Sequence, residues 1–156
     1  MTNDERRATK DDSSSRGFTI IELLVTMGIM ATLMAIAVPA FISLLPGINL
    51  NSGGRRLGID LQLARAKAIS QNTQYRIAFP ALPASFYTVE RFNGAAYVAE
   101  SGPFNLPPGI TVTSVTAAFN FEARGTANTA STITLQNSNG QTTTVQVNTV
   151  GRVKIP

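Results

Sequence analysis

From Leu23 to Gly54 no position carries a charge, and the stretch from Leu23 to Leu45 is almost wholly apolar, interrupted only by Thr26, Thr32 and Ser43. Coiled at about 1.5 Å per residue, that stretch reaches roughly 34 Å, enough to cross a hydrocarbon core of about 30 Å. The pattern predicts a membrane-spanning helix. A cleaved secretory signal would carry an apolar region of only about 7–15 residues ahead of a small-residue cut site. A core helix that is apolar all round would need a much larger protein to cover it. After Pro46-Gly47 the period changes: Leu50, Leu57, Leu61, Ala64 and Ala68 fall on one face, and Arg55, Arg56, Arg65 and Lys67 on another. This predicts an amphipathic helix that packs on a sheet, is weakened or bent at Gly53-Gly54, and ends near Gln71-Asn72.

Beyond Thr73 the helical period gives way to short alternating segments rich in Thr and Val. Strands are predicted over Tyr75–Phe79, Phe86–Phe92, Ile110–Val115, Phe119–Phe121, Thr132–Gln136 and Thr143–Val147. Asn137-Ser138-Asn139-Gly140 between the last two is a hairpin signal. Pro80–Ser85 and Pro103–Gly109 read as turn-rich breaks. The expected fold class is α+β: a long N-terminal helix, membrane-spanning in its first half, packed on a small antiparallel β-rich head.

Composition narrows the chemistry. A chain of 156 residues with 44% hydrophobic content fits one modest domain plus one further element. It contains no cysteine, histidine or tryptophan, which removes disulfides, Cys/His metal sites, thiol nucleophiles and histidine acid–base catalysis together. Only five carboxylates follow Gly17, namely Glu22, Asp60, Glu90, Glu100 and Glu122, and no phosphate-binding glycine loop is present. No catalytic, cofactor or metal site is expected. The net charge of +4 comes with only 14% charged residues and no dense basic run, so it argues little for nucleic acid.

The first 17 residues are polar and of mixed charge, too poor in apolar surface to fold alone. Arg6, Arg7, Lys10 and Arg16 precede the span while Arg55 and Arg56 follow it, which favours a cytoplasmic N-terminus. Glu22 is out of place, lying five residues into the apolar segment that begins at Phe18. Hydropathy alone leaves two readings: a functional carboxylate awaiting a partner, or an interfacial group favoured by the helix N-terminus.

Arg16-Gly17-Phe18-Thr19-Ile20-Ile21-Glu22 resembles the prepilin cleavage and methylation motif of type IV pilins and pseudopilins. The resemblance implies that a prepilin peptidase cuts between Gly17 and Phe18 and methylates the amine of Phe18, so that the apolar segment stays in the mature chain. Glycine leaves the backbone open to a protease at such a site. The resemblance also implies that Glu22 pairs with the α-amine of Phe18 in a neighbouring subunit. Breaking a buried pair typically costs about 3–5 kcal/mol, enough to select the stagger between helices. Pro39 matches a proline common in pilin helices, where it permits a kink, and reads equally as an ordinary transmembrane proline.

The C-terminal order is also informative: Phe119-Asn-Phe-Glu-Ala-Arg-Gly125, a strand, the Asn139-Gly140 turn, a strand, then Gly151-Arg152-Val153-Lys154-Ile155. It resembles the GspH/FimT branch of pseudopilins. That implies residues 1–17 as a removed leader, 18–45 as the transmembrane and assembly helix, 46–72 as its amphipathic continuation and 73–156 as a periplasmic head on the bacterial inner membrane. The implied function is a minor pseudopilin of a type II secretion system, with the prepilin peptidase, other pseudopilins and secreted cargo as partners. The alternative is a FimT-like minor pilin of a type IV pilus, binding DNA through Arg152 and Lys154. Phosphate affinity grows with the number of cations engaged, and this segment offers two. The plainer reading is a pair of solvated charges that discourage aggregation at a sheet edge.

Overall fold

The computed structural model describes residues 17–155; the leader charges used for orientation, and Pro156, lie outside the described residues. One helix, α1, runs Ile20–Ser70, and seven strands follow: β1 Tyr75–Ala78, β2 Phe86–Phe92, β3 Tyr97–Asn105, β4 Ile110–Val115, β5 Ser131–Asn137, β6 Thr142–Val147 and β7 Val153–Lys154. The chain divides into two compact units, one ending at Ala40 and one beginning at Phe41.

In the first unit every residue from Gly17 to Ala40 is exposed. Thr26 and Thr32, two of the polar interruptions of the apolar run, donate their hydroxyls to the carbonyls of Leu23 and Ile29 at 2.8 and 2.7 Å. Back-bonded in this way, neither hydroxyl proton depends on water, which suits a hydrocarbon surrounding.

The second unit is a helix on two antiparallel sheets, one ordered β1-β2-β3 and the other β4-β5-β6-β7. Leu50, Leu57, Leu61, Ala64 and Ala68 are all buried, as their spacing predicts, and Gly53, Gly54 and Gly58 are buried beside them. α1 continues without interruption through Gly53-Gly54. A Cβ on Gly53 would meet Pro107 Cδ at 3.3 Å and Ile110 Cγ2 at 3.5 Å, and one on Gly58 would lie 2.6 Å from Ile155 Cγ1. These glycines let the sheet and the C-terminal segment approach the helix, and packing outweighs their propensity cost of about 1 kcal/mol each. The helix ends in a Schellman motif: Asn72 takes a φ of 50°, Thr73 N–H donates to Ala68 O at 3.2 Å, and Asn72 N–H to Ile69 O at 3.4 Å.

The core joins that helix face to Tyr75, Tyr87, Val112, Phe121, Ile133, Leu135, Val145 and Val147. Five predicted strands appear within a residue of their expected ends. Phe119–Phe121 does not form a strand: Phe121 makes only isolated bridges, to Tyr75 and to Ala127. The break expected at Pro103–Gly109 begins later, because β3 runs on to Asn105. β3 escapes a periodicity reading because its side chains are mostly exposed and its pairing with β2 shifts register between Tyr87 and Glu90. The hairpin between β5 and β6 forms as expected, with Asn137 Oδ1 accepting the N–H groups of Asn139 and Gln141 at 3.0 and 2.9 Å, and Gly140 at a φ of 79°.

Candidate functional sites at the helix start and the C-terminal loop

At the start of α1, Thr19 is the N-cap. Its Oγ1 accepts the Glu22 N–H at 3.2 Å, and its carbonyl accepts the Leu23 N–H at 3.1 Å. Glu22 therefore occupies the third helical position, where the summed peptide dipoles favour a carboxylate. Thr19-Ile-Ile-Glu22 is the sequence of a capping box, a signal that hydropathy reading passes over. Gly17 lies just outside the helix with nothing within 4 Å of where a Cβ would stand, and Phe18 is 80% exposed. The peptide between Gly17 and Phe18 is thus open on both sides. Pro39 lies within α1, in the same uncharged stretch.

The second cluster is at the C-terminal loop. Gly151 takes a φ of 79° and Gly125 one of 80°, a conformation natural to glycine. Arg65, reaching from α1, donates through Nε to Gly125 O at 2.7 Å and through Nη2 to Val150 O at 3.4 Å. A Cβ on Gly151 would stand 1.9 Å from Gly125 O and 2.9 Å from Arg65 Nε. The two glycines and Arg65 therefore form one clamp that brings two distant loops against the helix. Asn148 completes it, accepting the Gly151 N–H on its carbonyl at 2.9 Å and the Arg152 N–H on Oδ1 at 2.8 Å. The arginine of the Gly-Arg pair is built in through its backbone, while its side chain and that of Lys154 are exposed. Sequence reading singles out Arg152 and Lys154 and passes over Arg65; the signal is the pair of glycines, Gly125 at the end of the first quoted segment and Gly151 at the start of the second.

A third set of polar groups ties the sheets to α1. Glu100 accepts Lys67 Nζ at 2.7 Å and the Tyr75 hydroxyl, with Arg91 Nε at 3.5 Å. The lysine and tyrosine hydrogen bonds hold the Glu100 carboxyl below the usual range. Burial, with the Glu100 carboxylate beside it, pushes the Tyr75 hydroxyl up to about 12. The Tyr87 hydroxyl, bonded to Asp60, is raised too, first by burial and then by that carboxylate. Among the described residues no group of His, Cys, Asp or Glu side chains is arranged to hold a metal ion.

Residues 12–38 match the prokaryotic N-terminal methylation motif, and residues 54–151 match the type II transport protein GspH family. The chain belongs to the GspH family. As a GspH-family protein it is a minor pseudopilin or pilin, and the methylation motif implies processing by a prepilin peptidase. Among the described residues of this GspH-family chain, one helix is long and apolar enough to cross a membrane, as a single-pass anchor requires.

Solved structures that share this fold include two minor subunits. The minor pseudopilin EpsH from the type 2 secretion system of Vibrio cholerae aligns at a TM-score of 0.58 and 10% identity, over 69% of this chain and 96% of that one. The type IV minor pilin FimU of Pseudomonas aeruginosa aligns at 0.56 and 18%, over 69% of this chain and 87% of that one. At such identities the likeness establishes the fold. No curated protein matches by sequence.

Proposed function

We propose that the chain is a minor pseudopilin of a type II secretion system. It is made as a prepilin, cut between Gly17 and Phe18, and methylated on Phe18. Its N-terminus lies in the cytoplasm and its head in the periplasm. The observation that carries this reading is the match of residues 54–151 to type II transport protein GspH, downstream of a methylation motif at the head of the apolar helix. In this role Phe18, Glu22 and Pro39 serve filament assembly, and the head meets other pseudopilins or cargo. The exposed, capped helix start supports it, since a carboxylate with open surroundings is available to a neighbour's amine. Intact mass and N-terminal sequencing of the chain from membranes, with and without a prepilin peptidase, test the processing. A mature chain beginning at methylated Phe18 only when the peptidase is present is expected; an unprocessed chain in both strains would overturn it. Secretion in a strain lacking the gene tests the system: loss of export is expected, and intact export would remove the type II assignment.

The second reading, a type IV minor pilin that contacts DNA, draws on the exposed side chains of Arg152 and Lys154 beside an open groove of about 920 Å³. Two cations make a small electrostatic footprint, and Arg65, which lines a second groove together with Arg152, is engaged by the carbonyls of Gly125 and Val150. Secretion is therefore the better-supported role.

A further inference from the structure

Asparagine followed by glycine occurs twice in the chain, at Asn93-Gly94 and Asn139-Gly140; every other asparagine precedes a residue that carries a side chain. Such a pair can react with itself. The glycine nitrogen attacks the asparagine Cγ, and a glycine has no Cβ to crowd the ring that closes. Three features decide whether a folded chain permits the attack: a free glycine N–H, donors for the negative charge that grows on Oδ1, and access to water.

Both pairs lie in exposed turns, the first between β2 and β3 and the second between β5 and β6. In the second turn the Gly140 N–H donates to Asn137 O at 3.0 Å, a bond its nitrogen must give up before it can lose its proton. Asn139 is held there by its own N–H, which donates to Asn137 Oδ1 at 3.0 Å, and among the described residues no donor reaches its side-chain oxygen. In the first turn the arrangement is reversed. The Gly94 N–H has no hydrogen-bond partner among the described residues, and Gly94, at a φ of 100°, has nothing within 4 Å of where a Cβ would stand. Asn93 Oδ1 accepts the N–H groups of Ala95 and Ala96 at 3.0 and 2.9 Å. Two backbone donors at these distances stabilise the oxygen that takes up charge when a tetrahedral intermediate forms. They are kept in place by the Asn93 N–H, which donates to Ala96 O at 3.0 Å, and by the rings of Phe92 and Tyr97, whose centroids are 5.2 Å apart.

We propose that Asn93 is a self-modifying site, which loses its side-chain amide by cyclising with Gly94 to a succinimide. The Gly94 nitrogen gives its proton to solvent and forms a bond to Asn93 Cγ, and the displaced electron pair moves onto Oδ1 beneath the Ala95 and Ala96 N–H groups. When that intermediate collapses, Nδ2 leaves as ammonia with a proton taken from water. Water then opens the ring. Breaking the bond from Cγ to the Gly94 nitrogen leaves aspartate; breaking the bond from the Asn93 backbone carbonyl to that nitrogen leaves isoaspartate, with the main chain running through Cγ. Water is consumed, ammonia is released, and nothing is oxidised or reduced. Either product adds a carboxylate to the turn between β2 and β3. Aspartate can still accept the Ala95 and Ala96 N–H groups, whereas isoaspartate lengthens the backbone and breaks the Asn93–Ala96 pairing that closes the hairpin. The inference rests on neither the secretion nor the pilus reading.

The test ages the full chain in mildly alkaline buffer, folded in detergent micelles and, in parallel, unfolded in guanidinium. Trypsin cutting after Arg91 and Arg124 puts the two pairs on different peptides, so mass spectrometry follows each conversion separately. Relative to its own rate in the unfolded chain, Asn93 should convert at least about tenfold faster than Asn139 does, the factor of about one hydrogen bond. Labelling with an isoaspartyl methyltransferase should find isoaspartate among the Asn93 products. Equal relative rates, faster conversion at Asn139, or an Asn93 that stays intact while the unfolded chain is consumed would each overturn the proposal. Aspartate without any isoaspartate would overturn it too, because direct hydrolysis and not ring closure gives that result.

Discussion

Substituting alanine at Gly151 and, separately, at Gly140 divides two costs that usually arrive together. Both glycines have a φ of 79°, so each alanine meets the same left-handed backbone strain, about 1 kcal/mol. At Gly140 nothing lies within 4 Å of the new Cβ. At Gly151 the Cβ would stand 1.9 Å from Gly125 O, about half a normal contact, and 2.9 Å from Arg65 Nε. Neither obstacle is the free end of a flexible chain: one is backbone, and the other is pinned at 2.7 Å to that same carbonyl. The loops must part, and the charged hydrogen bond from Arg65 goes with them, a further loss of about 2–3 kcal/mol. Gly151→Ala should therefore destabilise the second unit by about 3–4 kcal/mol. At roughly 4 °C per kcal/mol for a unit of this size, that is a drop in Tm of roughly 12–16 °C, against roughly 4 °C for Gly140→Ala. Near-ultraviolet circular dichroism of the full chain in detergent reads the melt through its three tyrosines, all on the sheets. Equal shifts for the two variants would refute the clamp.

Further outcomes follow from the same contacts. Glu22→Ala should leave insertion and cleavage intact while cutting incorporation into filaments at least about a hundredfold, since losing one partner of a buried pair costs at least about 3 kcal/mol, as scored by shearing and immunoblotting. Normal assembly would remove the charge-pairing account. Tyr75 is raised to about 12, and Tyr87 and Tyr97 are raised as well, so tyrosinate absorbance of the folded chain should remain low at pH 10, and a midpoint near 10 without unfolding would contradict the burial. Because the folded value for Tyr75 lies above its unfolded value of about 10, its contribution to stability is full below pH 10 and is lost between about 10 and 12. Glu100 has the opposite sign: its folded value is depressed, so its contribution holds above its ordinary value of 4.5 and is lost as pH falls through the folded one, a loss that Glu100→Gln should abolish. Changing Arg152 and Lys154 together to glutamine should leave secretion and Tm unchanged, because only the backbone of Arg152 enters the clamp; a loss of DNA binding by gel shift with secretion intact would promote the pilus reading.

The features legible in the sequence are those whose signal is local and periodic. Leu50, Leu57, Leu61, Ala64 and Ala68 repeat at helical spacing, and all five are buried. The strands with clean alternation, such as β5 with its buried Ile133 and Leu135, emerge near their expected ends. What escaped depends on residues far apart in the chain. Gly53 and Gly54 look like helix breakers until Pro107, Ile110 and Leu135 are placed against Gly53. β3 is held by pairing with β2 rather than by a buried face of its own, and it contains Gly102-Pro103, which locally argues for a turn. Glu22 was conspicuous as a charge in an apolar run, whereas Arg65 looked like one more cation on a solvated face. Its role needs two loops, around Gly125 and Val150, that lie 60 and 85 residues away.

The helix start also separates two roles that a sequence leaves fused. Thr19-Ile-Ile-Glu22 reads as a capping box, which would make Glu22 a local stabiliser and explain its presence in an apolar segment without any partner. The cap bond, however, is made by the Glu22 backbone N–H to Thr19 Oγ1, so it survives removal of the carboxylate. What the side chain adds is charge, placed at the helix end where the peptide dipoles are positive. Cleavage after Gly17 would put the α-ammonium of Phe18 at that same end, where it opposes the dipole and increases the advantage of a nearby carboxylate. In an aqueous monomer such an exposed attraction is weak. Between helices packed in lipid, water no longer screens it, and the same two charges have few alternatives to each other. A carboxylate dispensable for folding one chain can therefore be decisive for joining many.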